Sequence, residues 1–168
     1  DGVRALLLDL DGVIVVAGKL VPGAAGAIAG LEARRVPYQI VTNTSAVSRE
    51  TLSRYAHGLG SPIPAERFES ALSASAAWTA RAFPEGPLYV LASDDAKREF
   101  AGQRLLTHDE AGRRGARAAA VIVGDSPEEA TFDNLNRAFR LIRGGARLVG
   151  MHRNPWWLTP KGPTLDAG

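Results

Sequence analysis

The feature that most constrains this chain is the apolar run Leu6–Leu8, which ends in the acidic turn Asp9-Leu10-Asp11-Gly12. A short apolar run followed by turn residues is typical of a buried, parallel strand. Because side chains alternate along a strand, we expect Asp9 and Asp11 on one side and Leu10 on the other. Gly12 allows a sharp backbone turn. The sequence therefore predicts two carboxylates at the carboxyl end of a central strand, where open α/β sheets bind ligands.

Two neighbouring carboxylates repel each other and raise each other's pKa unless a cation lies between them. Such a pair is expected where it performs chemistry or binds a metal. The alternative is structural: Asp9 caps the next element, and Asp11-Gly12 is an ordinary turn.

A second polar turn follows the next predicted strand. Residues 36–41 read as a short strand, and a helix over 24–35 connects it to the first, which makes a βαβ unit. The strand runs into Thr42-Asn43-Thr44-Ser45, and a helix start follows at Ser48. Because parallel strands end at the same sheet edge, this turn is expected beside Asp9 and Asp11. A polar turn before a helix is suited to binding an anion, although a plain cap and turn would have the same composition.

Composition limits the classes of protein that the chain can belong to. Its 168 residues suffice for one domain, or for a core with a small second lobe. No apolar run approaches the roughly 20 residues of a membrane span, and no signal-peptide pattern begins the chain, so we expect a cytoplasmic protein without membrane contact. There are no cysteines, which excludes disulfides and thiolate metal sites. The net charge is +2 and the densest basic stretch, residues 113–117, has no aromatic residues, so we expect no nucleic-acid partner.

Together, the two turns resemble those of the haloacid dehalogenase (HAD) phosphatase superfamily, and more narrowly subfamily IIA. Asp9-Leu10-Asp11-Gly12-Val13 matches the first motif of that family, and Val41-Thr42-Asn43-Thr44-Ser45 matches the second. The segments at 22–24 and 70–74 match its usual connections. The fold class implied is α/β, with a Rossmann-like parallel-sheet core that is incomplete at its carboxyl end.

The remainder of the chain resembles the α/β cap, of the C2 type, that this subfamily inserts after the second motif. Predicted strands at 88–91, 118–123 and 147–151 alternate with predicted helices at 94–102 and 132–142. The run 134–142, followed by His152 and Trp156-Trp157, is most similar to the branch of the phospholysine phosphohistidine inorganic pyrophosphate phosphatases. We therefore expect core residues at 1–83, a cap at 84–154, and a return segment at 155–168.

The resemblance implies a function and a set of site residues. Asp9 would be the nucleophile that forms an aspartyl-phosphate, and Asp11 the general acid and base. Mg²⁺ would lie between the Asp9 carboxylate and the Asp11 backbone carbonyl, while Thr42, Asn43 and the Gly12 turn would bind the substrate. Substrates would be small phosphate monoesters, phosphoramidates or pyrophosphate. The acid at position 11 separates this pattern from the haloacid dehalogenases, which lack it.

Two further expectations come from the same resemblance. A homodimer formed through the cap is one of them. The other places His152 in a cap segment that faces the substrate, where it could contact the leaving group; a structural histidine is the alternative.

The chain also departs from the family pattern. The family has a lysine and a Gly-Asp-x-x-x-x-Asp motif after the cap, and neither follows before the chain ends at Gly168. Because it also begins at Asp1 rather than Met, we expect the amino-terminal part of a longer enzyme, with an incomplete metal site. Lys161 is interpreted as part of a turn before re-entry into the core, with the catalytic lysine as a weaker alternative.

Two other interpretations remain open. Gly124-Asp125-Ser126 resembles the missing acidic motif, which would make the chain a small capless phosphatase, although Glu129 stands where that motif has its second aspartate. That interpretation predicts Asp125 at the same sheet edge as Asp9. The last alternative is a catalytically incomplete fragment that serves as a binding or dimerising module.

Overall fold

The computed structural model describes residues 4–159 and 162–166. The chain divides into two compact units. One comprises the chain up to Thr44 together with Arg49–Ser70, and the other comprises Ser45–Ser48 and the chain from Ala71 onward.

The first unit contains a three-stranded parallel sheet in the order β1-β4-β5. Its strands are β1 Leu6–Asp9, β2 Val15–Val16, β3 Lys19–Leu20, β4 Tyr38–Thr42 and β5 Phe68–Ser70; its helices are α1 Ala24–Ala33, α2 Arg49–Gly58 and a 3-10 turn at Ala65–Arg67. Residues 13–21 are rich in β-branched side chains, and Gly18 among them predicts a hairpin turn. The strands β2 and β3 form this antiparallel hairpin, which turns at Ala17 and Gly18. The core of this unit includes the fully buried Ile40, Ile63 and Phe68.

The expectation that β1 is a buried, central strand is wrong for the described residues. The strand is parallel, but β4 pairs with it on one side and no described strand pairs with the other. Leu7, whose side chain points to one face of the sheet, is 77% exposed. An apolar run indicates that a strand can be buried, but it does not show how many neighbours will cover it.

The second unit is a three-layer α/β arrangement around a parallel sheet in the order β6-β7-β8. Its elements are α3 Ala71–Ala82, β6 Leu88–Leu91, α4 Asp94–Lys97, a 3-10 turn at Arg98–Phe100, α5 His108–Gly112, β7 Ala120–Val123, α6 Phe132–Arg143, β8 Arg147–Gly150 and the antiparallel strands β9 Trp156–Thr159 and β10 Gly162–Leu165. All four residues of β6 are buried, as expected for a strand with apolar groups on both faces.

Alternation along β6 and β7 gives this sheet two separate cores. Leu88, Val90 and Ile122 pack with Leu72 of α3 and with Phe100 on one face. On the other face, a second cluster brings side chains of β6 and β7 against α5 and α6; its members are Tyr89, Leu91, Val121, Ala111, Ala138 and Leu141. The predicted helix at 132–142 is confirmed with one extra residue, whereas the one predicted at 94–102 is a short α-helix followed by a 3-10 turn.

None of the described helices is long and apolar enough to cross a membrane. The assignment of residues 1–83, 84–154 and 155–168 to a core, a cap and a return segment stays a prediction.

Candidate active site

The acidic turn lies at the carboxyl end of β1, and its alternation is as the sequence predicts. Asp9 is the last residue of the strand and is in register with Val41 of β4. Asp9 and Asp11 are exposed, whereas Leu10 between them is buried. Because β1 and β4 are parallel, the end of β4 and its polar turn come to the same sheet edge as the two aspartates.

A tight backbone turn follows Asp11. Gly12 has φ +89°, a left-handed conformation that favours glycine, and its N–H donates to the Val15 carbonyl at 2.7 Å. The N–H groups of Ile14 and Val15 both donate to the Leu10 carbonyl. These three hydrogen bonds hold the turn against the start of β2, and they fix the backbone that carries the Asp11 side chain.

Thr42 is a buried polar residue at the end of β4, and its hydroxyl joins the two turns. The hydroxyl oxygen accepts the Thr44 N–H at 3.2 Å and lies 2.9 Å from the Thr44 hydroxyl. It also acts as a hydrogen-bonding group that lowers the pKa of the Asp11 carboxyl. An ionised carboxylate can only accept, so this pair uses the Thr42 proton whenever Asp11 is charged.

The electrostatics of Asp11 differ from those of an ordinary surface aspartate. Neighbouring groups displace water from part of its carboxylate although the residue as a whole is exposed, and this desolvation is the main reason why its pKa is raised from 3.8. The negative charge of Asp9 raises the pKa further, while the Thr42 hydrogen bond lowers it. A carboxyl group beside an ionised partner, with its pKa raised, has the properties of a general acid.

The other predicted substrate-binding positions lie in the same turns. Asn43 and Gly12 are both exposed, one directly after β4 and the other directly after Asp11. The predicted site residues Asp9, Asp11, Gly12, Thr42 and Asn43 thus occupy two neighbouring loops of one sheet edge.

The donor set of this edge is compatible with Mg²⁺. Within residues 4–159 and 162–166 no group of three or more His, Asp or Glu side chains is placed to hold a metal ion. Asp9 offers a carboxylate oxygen and Asp11 a backbone carbonyl oxygen, both hard ligands, and Mg²⁺ commonly binds one or two carboxylates together with water and substrate phosphate.

The capless interpretation is wrong in its placement of Asp125. This residue follows β7, which belongs to the β6-β7-β8 sheet, whereas Asp9 ends β1 of the other sheet. Two strands of different sheets do not share a sheet edge, so the motif-like Gly124-Asp125-Ser126 does not provide the acid predicted for that edge. Lys161 lies outside the described residues.

The His152 side chain is only 8% exposed and lies in a hydrogen-bond network of the second unit. Its Nε2 lies 3.0 Å from the Ser45 hydroxyl and 3.4 Å from Asp166 Oδ1, and its Nδ1 accepts the Asn154 N–H at 3.2 Å. Both ring nitrogens are therefore engaged in contacts within the protein, as expected if His152 is a structural histidine. Ser45 belongs to a polar run of the sequence, but no sequence signal indicates that this serine contacts residues 80 and 107 positions away.

An open apolar groove of about 450 Å³ also lies in the second unit, between α3 and β8. Trp78, Leu148 and Met151 contribute to its lining, and none of the predicted site residues does. It has no acid, base or nucleophile apart from Ser75, whose hydroxyl donates to the Ala71 carbonyl of its own helix.

Comparison with known families identifies the class of protein. A family model described as haloacid dehalogenase-like hydrolase matches residues 6–105, which include both polar turns. The chain belongs to this family, and within it to subfamily IIA, as its motifs predicted.

Individual relatives agree with that assignment. The haloacid dehalogenase-like hydrolase domain-containing protein 2 of Rattus norvegicus is 31% identical over 165 residues, which cover 98% of this chain and 59% of that protein. A dihydroxyacetone phosphatase of Corynebacterium glutamicum is 27% identical over 143 residues, or 85% of this chain and 50% of that protein. The chain thus spans about three-fifths or less of the length of these curated relatives.

Solved structures share the fold. A hypothetical protein of Pyrococcus horikoshii OT3 superposes with a TM-score of 0.91 at 24% identity, over 99% of this chain and 64% of that one. A 4-nitrophenylphosphatase of Thermotoga maritima gives a TM-score of 0.85 at 20% identity, over 99% of this chain and 61% of that one. These likenesses establish a HAD-type α/β fold.

Proposed function

We propose that this protein is a phosphatase that hydrolyses small phosphorylated metabolites through an aspartyl-phosphate on Asp9. The observation that carries the proposal is the grouping of Asp9, Asp11 and Thr42 at one sheet edge, where the pKa of Asp11 is raised beside Asp9. Membership in the HAD-like hydrolase family supports it, as do relatives that are named as phosphatases of dihydroxyacetone phosphate and of sugar phosphates.

The first chemical step forms one bond and breaks another at phosphorus. A carboxylate oxygen of Asp9 attacks the phosphorus atom, and the bond to the leaving oxygen breaks with its electron pair on that oxygen. Protonated Asp11 transfers its proton to the leaving oxygen, which departs as an alcohol. The raised pKa of Asp11 increases the fraction of the acid that holds this proton.

The second step restores the enzyme. Ionised Asp11 accepts a proton from water as the water oxygen attacks phosphorus, and the bond to Asp9 breaks to release inorganic phosphate and the free carboxylate. Thr42 and the loop at Asn43 would bind phosphoryl oxygens, where charge accumulates in the transition state. Asp9 and Asp11 would hold Mg²⁺, which supplies positive charge next to the transferring group when bound.

Phosphate release from p-nitrophenyl phosphate with Mg²⁺ tests the proposal, with the protein prepared at the full length that its gene encodes. Asp9→Asn is expected to abolish turnover, and Asp109→Asn, which alters an exposed aspartate of α5, is expected to leave it unchanged. Full activity in Asp9→Asn would exclude the proposed nucleophile. Halide release from a chlorinated carboxylic acid without phosphate release would instead favour a dehalogenase.

We further propose that the part of the second unit from residue 84 to residue 154 is the cap, with the core at 1–83 and the return segment at 155–168. Support comes from its separate parallel sheet, which has apolar clusters on both faces. Mg²⁺ as the metal, a cytoplasmic location, and phosphoramidates or pyrophosphate as substrates are predictions at the same level. Inactivity of the full-length protein toward every phosphate ester would favour the alternative of a binding or dimerising module.

An exposed apolar face of α6 supports the proposal of a homodimer formed through the cap. On α6, Phe132, Leu135 and Phe139 are 79%, 47% and 60% exposed, and their spacing places them on one helical face. Asp133 lies near the amino end of this helix and Arg140 near its carboxyl end. In an antiparallel pair of α6 helices about a twofold axis, Phe132 would approach Phe139 of the second copy, and Asp133 would approach its Arg140.

Light scattering coupled to size-exclusion chromatography tests this interface. We expect a dimer for the wild type and a monomer for Phe139→Glu. Leu165→Glu, which changes an apolar residue of β10 that is even more exposed, should remain dimeric. A wild-type monomer, or a Phe139→Glu dimer, would contradict the assignment.

A further inference from the structure

The segment 45–48, here called the anchor segment, follows the phosphate-loop residues Thr42-Asn43-Thr44 directly. It belongs to the second unit although the residues on both sides of it in sequence belong to the first. Ser45 is only 2% exposed and Ser48 is fully buried, which is unusual for two polar residues of a loop. Their hydrogen-bond partners show what this segment does.

The anchor segment is held at three of its four residues by groups that follow the strands of the second sheet. After β6, the Ser93 hydroxyl donates to the Ala46 carbonyl at 2.7 Å, and Asp95 Oδ2 accepts the Ser48 N–H at 2.8 Å. After β7, the Asp125 N–H donates to the Ser45 hydroxyl at 2.9 Å. Since β6, β7 and β8 are parallel, these groups belong to one edge of that sheet.

His152, which follows β8, completes the attachment. Its Nδ1 accepts the Asn154 N–H, so the ring proton is on Nε2, and Nε2–H donates to the Ser45 hydroxyl at 3.0 Å. Asp166 Oδ1 lies 3.4 Å from the same nitrogen and favours a proton there. The Ser45 oxygen therefore accepts two hydrogen bonds, from His152 and from the Asp125 amide.

This pattern excludes a catalytic Ser-His-Asp triad. A triad needs an unprotonated nitrogen toward the serine and an aspartate on the opposite nitrogen of the ring. Here Ser45 and Asp166 share Nε2, which carries the proton, and the opposite nitrogen contacts a backbone amide. Ser45 is held as an acceptor and is not activated as a nucleophile.

The backbone also fits closely at this point. A Cβ atom at Gly124 would lie 2.9 Å from the Met151 sulfur and 3.3 Å from the Ser45 carbonyl oxygen. The absence of a side chain at Gly124 therefore lets the anchor segment approach the end of β7. The carboxyl edge of an open parallel sheet is where ligands usually bind, and here the chain's own segment takes that place.

We propose that Ser45 is a positioning residue, which holds the phosphate loop Thr42–Thr44 in its reactive conformation through its hydrogen bonds to His152 and to the Asp125 amide. The proposal rests on the phosphatase function above. Ser45 is one peptide bond from Thr44 and three from Thr42, so a fixed Ser45 limits the conformations that the loop can adopt. A loop that binds the transferring phosphoryl group affects the transition state, so loss of the anchor should lower kcat more than it changes KM.

The test uses the full-length protein with p-nitrophenyl phosphate, and measures kcat, KM and amide hydrogen exchange over residues 42–46. Ser45→Ala and His152→Leu are expected to lower kcat about tenfold to a hundredfold, as misplacement of a reacting group does. Exchange in the loop should become about tenfold faster, since it reports local opening. His152→Gln places an amide N–H near the position of Nε2 and should restore most of kcat. His57→Leu, at an exposed histidine of α2, should match the wild type.

The outcomes separate this proposal from the phosphatase function. A wild type without turnover overturns the phosphatase function and, with it, a positioning role in that reaction. An active wild type whose Ser45→Ala variant keeps both kcat and loop exchange overturns the role of Ser45 alone. Should Ser45→Ala fail to fold, equal kcat values for His152→Gln and His152→Leu would overturn it equally well.

Discussion

At the scale of single residues, Asp11 is the group whose environment indicates most about the chemistry. Burial of part of its carboxylate, then the charge of Asp9, raise its pKa, and Thr42 only partly opposes them. The same two aspartates and the threonine were identified from sequence alone. Alternation along a strand and parallel pairing of its neighbour are strong local rules, and they suffice to bring these three side chains to one edge.

The loss of activity on removing the Asp11 carboxylic acid should depend on the leaving group of the substrate. Asp11→Asn is expected to lower kcat/KM about 10²- to 10⁴-fold for an alkyl phosphate, whose leaving oxygen needs a proton. The loss should be smaller for p-nitrophenyl phosphate, because its leaving group is stable as an anion. Equal losses for both substrates would contradict the role of Asp11 as a proton donor.

The pH dependence of the first step follows from the same group. The step requires protonated Asp11, so its rate should fall as pH rises through the Asp11 pKa, which lies above 3.8. Values of kcat/KM for an alkyl phosphate, measured against pH, would show this limb. Asp11→Asn should lack it, and a limb that persists in the variant would have to be assigned to another group.

Asp125 affects stability in a way that also depends on pH. Burial, and then the negative charge of Asp166, raise its pKa above 3.8, so the folded protein binds this proton more tightly than the unfolded chain does. The stability contributed by this group is therefore present below 3.8 and is lost as pH rises through the raised value. Asp125→Asn is expected to raise Tm at neutral pH and to lose that advantage below 3.8. Thermal melts across this range would contradict the account if the variant were less stable at neutral pH.

At the scale of elements, features that depend on residues close in sequence are predicted better than contacts between distant segments. The hairpin at Gly18 and helix α6 are confirmed, because each depends on periodicity or turn residues over a short stretch. The parallel pairing of β1 and β4 is also confirmed, because strands joined by a single helix usually become neighbours in one sheet. The burial of β1 was overestimated, because coverage of a strand depends on distant parts of a chain. The attachment of Ser45 was missed for the same reason.

The turn after β1 gives a direct test of local conformation. Gly12→Ala is expected to cost about 1–2 kcal/mol, because a left-handed φ is unfavourable for a residue with a Cβ atom. No neighbouring atom lies within 4 Å of the Cβ position at Gly12, so backbone strain is the sole expected cause. Gly26→Ala, inside α1 with equally open surroundings, should instead stabilise the protein by about 1 kcal/mol. Denaturant unfolding of both variants would contradict this if their effects had the same sign.

At the scale of the whole molecule, the chain combines two parallel sheets, and the proposed chemistry lies at the edge of the first. Two apolar surfaces are left uncovered by the described residues. One includes Leu7 and Val41 of the first sheet, and the other is the face of α6 that carries Phe132, Leu135 and Phe139. The family could be recognised from the order of the motifs. The substrate could not, because the residues that select a leaving group belong to no motif and depend on how the full-length protein is assembled.

The most direct test of the central claim is chemical trapping of the phosphorylated enzyme. The full-length Asp11→Asn variant, given p-nitrophenyl phosphate and Mg²⁺, should form the aspartyl-phosphate but break it down slowly, because it lacks the general base. Borohydride reduction would then convert the phosphorylated aspartate to homoserine, which mass spectrometry of the amino-terminal peptide can locate. We predict homoserine at position 9. Turnover without any reduced residue at that position, or reduction at a different aspartate, would contradict the claim that Asp9 is the nucleophile.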